Sequence, residues 1–205
     1  MYQPPHHRVD DFAAQAALIR ARPLGLLVTN GPNGLNANPV PFLLVDDDGP
    51  LRLVAHMARA NAQWREEGEA LVVFTDADAY VTPSWYETKK ETGKVVPTWN
   101  YATVHVHGTL RAIEDRDWLR AQVEALTRTH EAGRADPWAV SDAPAPYVEQ
   151  MLRAIVGIEI AIARIEGKWK VSQNRPAQDR AGVIAGLESQ DDDSARAMAR
   201  MVREA

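Results

Sequence analysis

The chain has 205 residues, with 23 Lys and Arg against 28 Asp and Glu and a formal net charge of −5. At 45% hydrophobic and 25% charged residues it has the balance of an ordinary globular protein, and it offers no broad basic face for gripping nucleic acid by its phosphates. With no cysteine, disulfides, thiolate catalysis and cysteine-ligated zinc or iron–sulfur sites are excluded. The length suits a single domain over residues 1–205 with a sizeable core. Met1-Tyr-Gln-Pro-Pro5 is not a basic-then-apolar leader, and no apolar run nears the about 18 residues of a membrane span. A cytoplasmic location with no membrane contact is therefore expected.

Residues 1–9, with Pro4, Pro5, His6 and His7, read as an extended arm. Asp10 or Asp11 can cap a helix to about Arg20, striped by Phe12, Ala16 and Ile19 and stopped at Arg22-Pro23. Leu24–Thr29 is a strand, and Asn30-Gly-Pro-Asn-Gly34 a turn. A second strand over Leu35–Val45 is disturbed by Pro39 and Pro41, which predicts an edge, a bulge or a ligand-facing strand. Leu51–His56 then completes a meander. Met57–Glu67 reads as a short helix, and Leu71–Phe74 and Tyr80–Pro83 as two strands split at Asp76-Ala-Asp78. Ala102–Ile113 alternates strictly, with Val104, Val106, Gly108, Leu110 and Ala112 on one face, as a half-buried strand does.

Helical patterning takes over across about 115–154, as Asp115–Ala132 and Tyr147–Ala154. Ile158, Ile160 and Ile162 form the last strand, and Ile165, out of phase, predicts a bulge near Ala163. A helical tail of about 178–205 ends in a helix capped by Asp191-Asp-Asp193. This order predicts a mainly β fold with helices: an antiparallel barrel with a helical insertion before its last strand.

Three stretches carry chemistry. Tyr80-Val-Thr-Pro-Ser-Trp-Tyr-Glu-Thr-Lys89 and Val96-Pro-Thr-Trp-Asn-Tyr101 mix aromatic rings with hydroxyls, an amide and lysines. A purely structural core would not carry so many polar groups, so a flat ligand both aromatic and polar is expected against them. The basic segment Glu87–Lys94 between them reads as a mobile loop. His56-Met-Ala-Arg59-Ala-Asn61 falls where a strand would turn into a helix, a natural anion site to which Arg59 adds a bidentate donor. Gly167-Lys-Trp-Lys-Val-Ser-Gln-Asn-Arg175 is a donor-rich surface with one aromatic plate, following the last strand. His105 and His107 share a strand face, but no third ligand stands near them in sequence and no metal site is expected. No Walker loop, Rossmann glycine pattern, nucleophile elbow or helix-turn-helix is present.

In this order the motifs resemble the PaiB-type family, the FMN-binding negative transcriptional regulators. The match runs from Met1-Tyr-x-Pro and His6, through Pro41-Phe42-Leu43-Leu44, His56-x-Ala-Arg-Ala-Asn61 and Tyr80-x-x-Pro-Ser-Trp-Tyr86, to Val96-Pro-Thr-Trp-Asn-Tyr101 and Gly167-Lys-Trp-Lys-x-Ser-Gln-Asn-Arg175. The resemblance implies a split β-barrel of the pyridoxamine-phosphate-oxidase-like kind, a homodimer with FMN at the subunit interface. It implies that His56, Arg59 and Asn61, with Lys89, hold the phosphate. Trp85, Thr98 and Trp99 would line the ribityl and ring region, and Trp169, Lys170, Ser172 and Gln173 would approach the isoalloxazine. The chain departs from the family pattern at Pro39, where a histidine is expected, and at His7, where a phenylalanine is expected. Two functions follow: a repressor governed by its flavin, or an FMN-dependent oxidoreductase or flavin reductase acting on a small acceptor. Neither the net charge nor a recognition helix supports a direct DNA contact.

Overall fold

The computed structural model describes residues 1–205. After a 3-10 turn at Pro5–His7, the elements in chain order are β1 (Arg8–Val9), α1 (Phe12–Ala21), β2 (Leu24–Gly31), β3 (Gly34–Pro41), β4 (Leu43–Val45), β5 (Arg52–Ala58), β6 (Gly68–Val81), α2 (Thr88–Thr92), β7 (Thr98–Ile113), α3 (Arg116–Glu131), α4 (Ala145–Arg153), β8 (Ile155–Lys170), α5 (Ala177–Glu188) and α6 (Asp193–Glu204). They make two compact units. The first holds Met1–Leu18, Thr75–Val104 and Glu166–Ala205; the second holds Ile19–Phe74 and His105–Ile165.

The second unit is built on one antiparallel sheet in the order β3-β2-β6-β7-β8-β5-β4, which does not close. β2 pairs with β3 from Leu24 opposite Pro41 to Gly31 opposite Gly34, and β4 pairs with β5. A single stretch, Gly34–Val45, thus supplies both edges of the sheet, bending at Phe42, whose ring is buried edge-on to Phe74 with centroids 6.0 Å apart. Pro39 and Pro41 lie on an edge strand, where a missing N–H is tolerated. The core beneath is aliphatic: Leu27, Val40, Leu53, Val72, Val106, Ile158 and Ile160 are all buried. Gly25 and Gly108 admit close neighbours, since a Cβ on Gly108 would lie 2.2 Å from the Ala161 carbonyl oxygen. The helical insertion adds a small cluster of Leu119, Val140, Val148 and Leu152. Asp115 caps α3, accepting from the Trp118 N–H at 2.8 Å.

In the first unit β1 pairs with β8, Arg8 opposite Lys168 and Val9 opposite Gly167. The core joins Ala77, Ala79 and Val81 of β6 and Tyr86 to α5 and α6. On α6 the buried residues are Ala195, Met198, Ala199 and Val202, the i, i+3, i+4, i+7 pattern of one helix face. Asp192 caps that helix, as the acidic triplet predicts, accepting from the Ala195 N–H at 2.7 Å.

Several local expectations are corrected. β6 does not break at Asp76–Asp78: Ala77 points inward and buried, and the Asp78 backbone is held by Ser194, whose hydroxyl donates to its carbonyl at 2.8 Å. The pleat overrides the turn preference of the two aspartates. Met57–Glu67 is not an α-helix. β5 continues to Ala58 opposite Ile155, and the Arg59 N–H goes on to donate to the Ala154 carbonyl at 2.8 Å. Only a 3-10 turn, Ala62–Arg65, follows. β8 runs unbroken past Ala163 to Lys170, so Lys168 and Lys170 stand on a strand and not in a loop after it.

Candidate functional site

In the second unit the structure brings His56, Arg59 and Asn61 to the end of β5 and the turn beyond it. No helix N-terminus forms there. The Asn61 side chain takes the free Gln63 N–H at 3.1 Å, capping the turn by itself. Arg59 is fully engaged: it donates to Glu114 Oε2 at 2.6 Å and to the carbonyls of Arg153 and Ile155 at 3.1 and 3.2 Å. The two carbonyls fix the guanidinium, whereas the Glu114 pair is solvent-exposed and weak enough to yield to another anion. His56 Nδ1 donates to Gln122 Oε1 at 2.7 Å. The other arm of that amide, Gln122 Nε2, is buried without a partner. Gln122 was not singled out from the sequence; its one signal is a polar side chain three residues after Leu119 on the inward face of α3. Beneath this turn Gln63 is fully buried, donating to the Leu27 and Asn36 carbonyls and to Thr29 Oγ1 while accepting from Asn38 at 2.9 Å.

In the first unit the aromatic stretch and the last-strand motif meet directly. Lys170 Nζ donates to Thr98 Oγ1 and, at 2.7 Å, to the Trp99 carbonyl. Burial holds its pKa below the usual ammonium range, and Lys168 and Arg175 push the same way against the opposing effect of Tyr101. Ser172 is the one residue other than glycine with a left-handed backbone, φ 62°. Its hydroxyl accepts from Asn100 Nδ2 at 2.9 Å in a buried pair that offsets the strain. Gln173 is locked at both ends, donating to the Trp169 carbonyl at 2.6 Å and accepting from the Val171 N–H at 2.9 Å. Trp99 is half exposed and stands edge-on to Tyr80 with centroids 5.9 Å apart.

The segment expected as a mobile loop is largely organised. Thr88 opens α2 by giving both its N–H and its hydroxyl to Asp179, a wholly buried carboxylate on α5, at 2.9 and 2.7 Å. Gly93 ends the helix with φ 64°, a conformation glycine adopts without cost. Lys89 projects from this helix and touches only Ser84 Oγ, at 3.4 Å. Trp85 lies against α5, where a Cβ on Gly182 would meet the Trp85 carbonyl oxygen at 1.9 Å and one on Gly186 its indole at 2.2 Å. The indole therefore holds the turn that presents Lys89.

Two further residues of this unit were named in the sequence but given no binding role. Lys168 is only 8% exposed, its ammonium lying 5.5 and 5.3 Å from the ring centres of Tyr2 and Tyr101. His7 is 5% exposed, its Nδ1 unpartnered. Lys168 precedes Lys170 by two and so shares its strand face, a signal readable once the motif is known to be strand. A separate cavity of about 490 Å³, lined by Glu124, Arg128, Glu131 and Trp138, touches none of the residues named above.

An open antiparallel sheet of this order, with a helical insertion and appended helices, defines the split-barrel class of flavin-binding folds. A family model described as "Putative FMN-binding domain" matches residues 1–164. An uncharacterized protein of Emericella nidulans is 37% identical over 243 aligned positions, which cover 100% of this chain and 97% of the relative. Protease synthase and sporulation protein PAI 2 of Bacillus subtilis is 28% identical over 207 positions, again 100% and 97%. Among solved structures, the FAD and heme binding protein of Mycobacterium smegmatis matches with a TM-score of 0.61 at 21% identity, over 88% of this chain and 80% of that one, a likeness of fold alone. The chain belongs to the PaiB-type family of FMN-binding split-barrel proteins, and FMN is its cofactor. The residues present fit that group. The buried Gln122 amide beside His56 has a donor to spare, and Lys170 stands among hydroxyls and aromatic rings with no carboxylate in ion-pair reach.

Proposed function

We propose that the chain works as a homodimeric regulator of gene expression whose state is set by its FMN. In this reading His56, Arg59, Asn61 and Lys89 hold the phosphate. Thr98, Trp99, Trp169, Lys170, Ser172 and Gln173 contact the ring and ribityl chain, and Trp85 positions Lys89. FMN, when bound, supplies reversible electron storage; the protein's part is to hold and orient it. The observation that carries the reading is Ser172: a strained, hydrogen-bonded residue inside the last-strand motif, the kind of backbone that persists where a ligand is positioned. The regulatory half is supported by the end-to-end similarity to the sporulation protein of Bacillus subtilis. The dimer is supported by an outward apolar face on the β2–β3 edge, where Leu24, Leu26 and Leu35 are exposed beside Pro39 and Pro41.

The test begins with flavin affinity, read by quenching of FMN fluorescence. Arg59→Ala should weaken binding about tenfold or more, the value of a charge-assisted phosphate contact. Glu114→Gln should tighten it by freeing the guanidinium. Unchanged affinity in both would remove the phosphate assignment. Gel shifts with promoter DNA, with FMN oxidised and reduced and across a salt series, then test regulation; no retardation in any state would refute direct repression. A second reading, a flavin reductase, is favoured by Lys170, whose lowered pKa eases proton delivery beside the flavin. Nicotinamide oxidation coupled to small acceptors would establish it, and its absence across donors and acceptors would dismiss it.

A further inference from the structure

Although the whole chain is acidic, the first unit gathers Lys168, Lys170 and Arg175 near one another with no carboxylate paired to any of them. Two acids of this unit are already committed. Glu166 Oε2 accepts from the Met1 amino group at 2.6 Å, and Asp179 is taken by Thr88. Lys168 has no ion pair; most of its side chain is covered, and its ammonium lies against the faces of Tyr2 and Tyr101. Such ring contacts stabilise the charge but leave the three ammonium N–H groups uncommitted.

A second, independent vacancy in the hydrogen bonding lies beside it. The arm folds back so that Arg8 pairs opposite Lys168, and Gln3 Nε2 donates to the Gly167 carbonyl at 2.7 Å. This seats His7, the next residue along the arm, in a buried position. Its ring faces Gln173 and senses the charges of Lys170 and Lys168, while Nδ1 has no partner. In its Nδ1–H form this buried imidazole, like the Lys168 ammonium, is a donor with no anion to serve.

We propose that His7 and Lys168 form a binding site for a small oxyanion, a carboxylate or phosphate group, closed over by the amino-terminal arm. Neither residue is among those assigned to FMN, so the site is additional to the flavin contacts, with Lys170 between the two. The oxyanion accepts from Lys168 Nζ and from the free nitrogen of His7, and the rings of Tyr2 and Tyr101 flank whatever carries it. Binding strengthens as pH falls, because a protonated imidazole adds a charge; the groups facing His7 are His6 on the arm, Lys168 and Lys170 on β8, and Gln173 beyond it.

The experiment is calorimetric titration of the FMN-loaded protein with inorganic phosphate and, separately, with benzoate. The His7→Phe and Lys168→Met variants are run in parallel, and flavin affinity is measured on every sample. Phenylalanine is the residue expected at position 7 of this family's pattern, so the first variant should fold; circular dichroism checks both. The expected result is saturable binding of an anion that each variant weakens about tenfold or more, with flavin affinity unchanged. Preference for phosphate identifies an inorganic ion, and preference for benzoate an organic acid. No binding of either anion, or binding equal in wild type and both variants, overturns the proposal. So does a loss that tracks a matching loss of flavin affinity, which would give the cluster to FMN. Failure of FMN itself to bind is seen in the wild-type flavin titration and is a separate outcome.

Discussion

Single residues decide much of this molecule's chemistry by where their spare hydrogen-bonding capacity is left. Ser172 and Asn100 use theirs on each other, and the left-handed turn follows; Gln122 and His7 keep theirs. His7 also carries a pH signature. Burial first, then the charge of His6, holds its pKa below the usual 6.5, Gln173 acting the other way. The folded chain thus resists a proton that the unfolded chain accepts. Stability from this group is complete above 6.5 and is lost as pH falls below it toward the depressed folded value. Urea unfolding followed from about pH 7.5 to about pH 5 should therefore show a falling midpoint that flattens in His7→Phe. Sequence alone placed Thr98, Trp99, Lys170, Ser172 and Gln173 in two motifs, and the structure joins them. It did not reach Gln122, and it named Lys168 and His7 without their surroundings, because burial and missing partners are properties of the packed chain rather than of a motif.

At the scale of elements, the helices carry the clearest lesson about packing. α5 approaches the turn at Pro83–Trp85 only because positions 182 and 186 lack side chains. Gly182→Ala puts a methyl group into a backbone carbonyl, which cannot swing aside, and should cost about 3 kcal/mol, the upper range for overpacking. Thermal or denaturant unfolding measures it, and an unchanged midpoint would mean that α5 shifts freely. Periodicity found α1, α3 and most of the long β7 because each has one clear apolar face, and the acidic triplet marked the start of α6. It divided β6 at Asp76–Asp78 and wound Met57–Glu67 into a helix, because local preference there is overruled by neighbours distant in sequence: Ser194 for β6 and β8 for β5. The proline pair at 39 and 41 left an edge, a bulge or a ligand-facing strand open, and the sheet order makes it an edge.

For the whole molecule, net charge and local charge point in opposite directions. A chain of net charge −5 that keeps several cations unneutralised in one place is shaped for an anionic ligand more than for a polyanionic surface. Its association with itself is a separate question with its own measurement. Sedimentation equilibrium of the wild type should give a dimer, and Leu26→Glu, placing a charge among the exposed apolar residues of β2, should shift it to monomer; a monomeric wild type would remove the dimer from the proposal. The double-edged stretch Gly34–Val45 has a further consequence, for solubility. An open sheet presents unpaired backbone at its rims, a template for runaway stacking between molecules. Here one rim carries Pro39 and Pro41 and the other is only three residues long, Leu43–Val45. Those prolines act as gatekeepers, so Pro39→Val with Pro41→Val should leave the fold in place by circular dichroism yet raise light scattering on storage, and a variant that stays clear would show that the rim is guarded by something else.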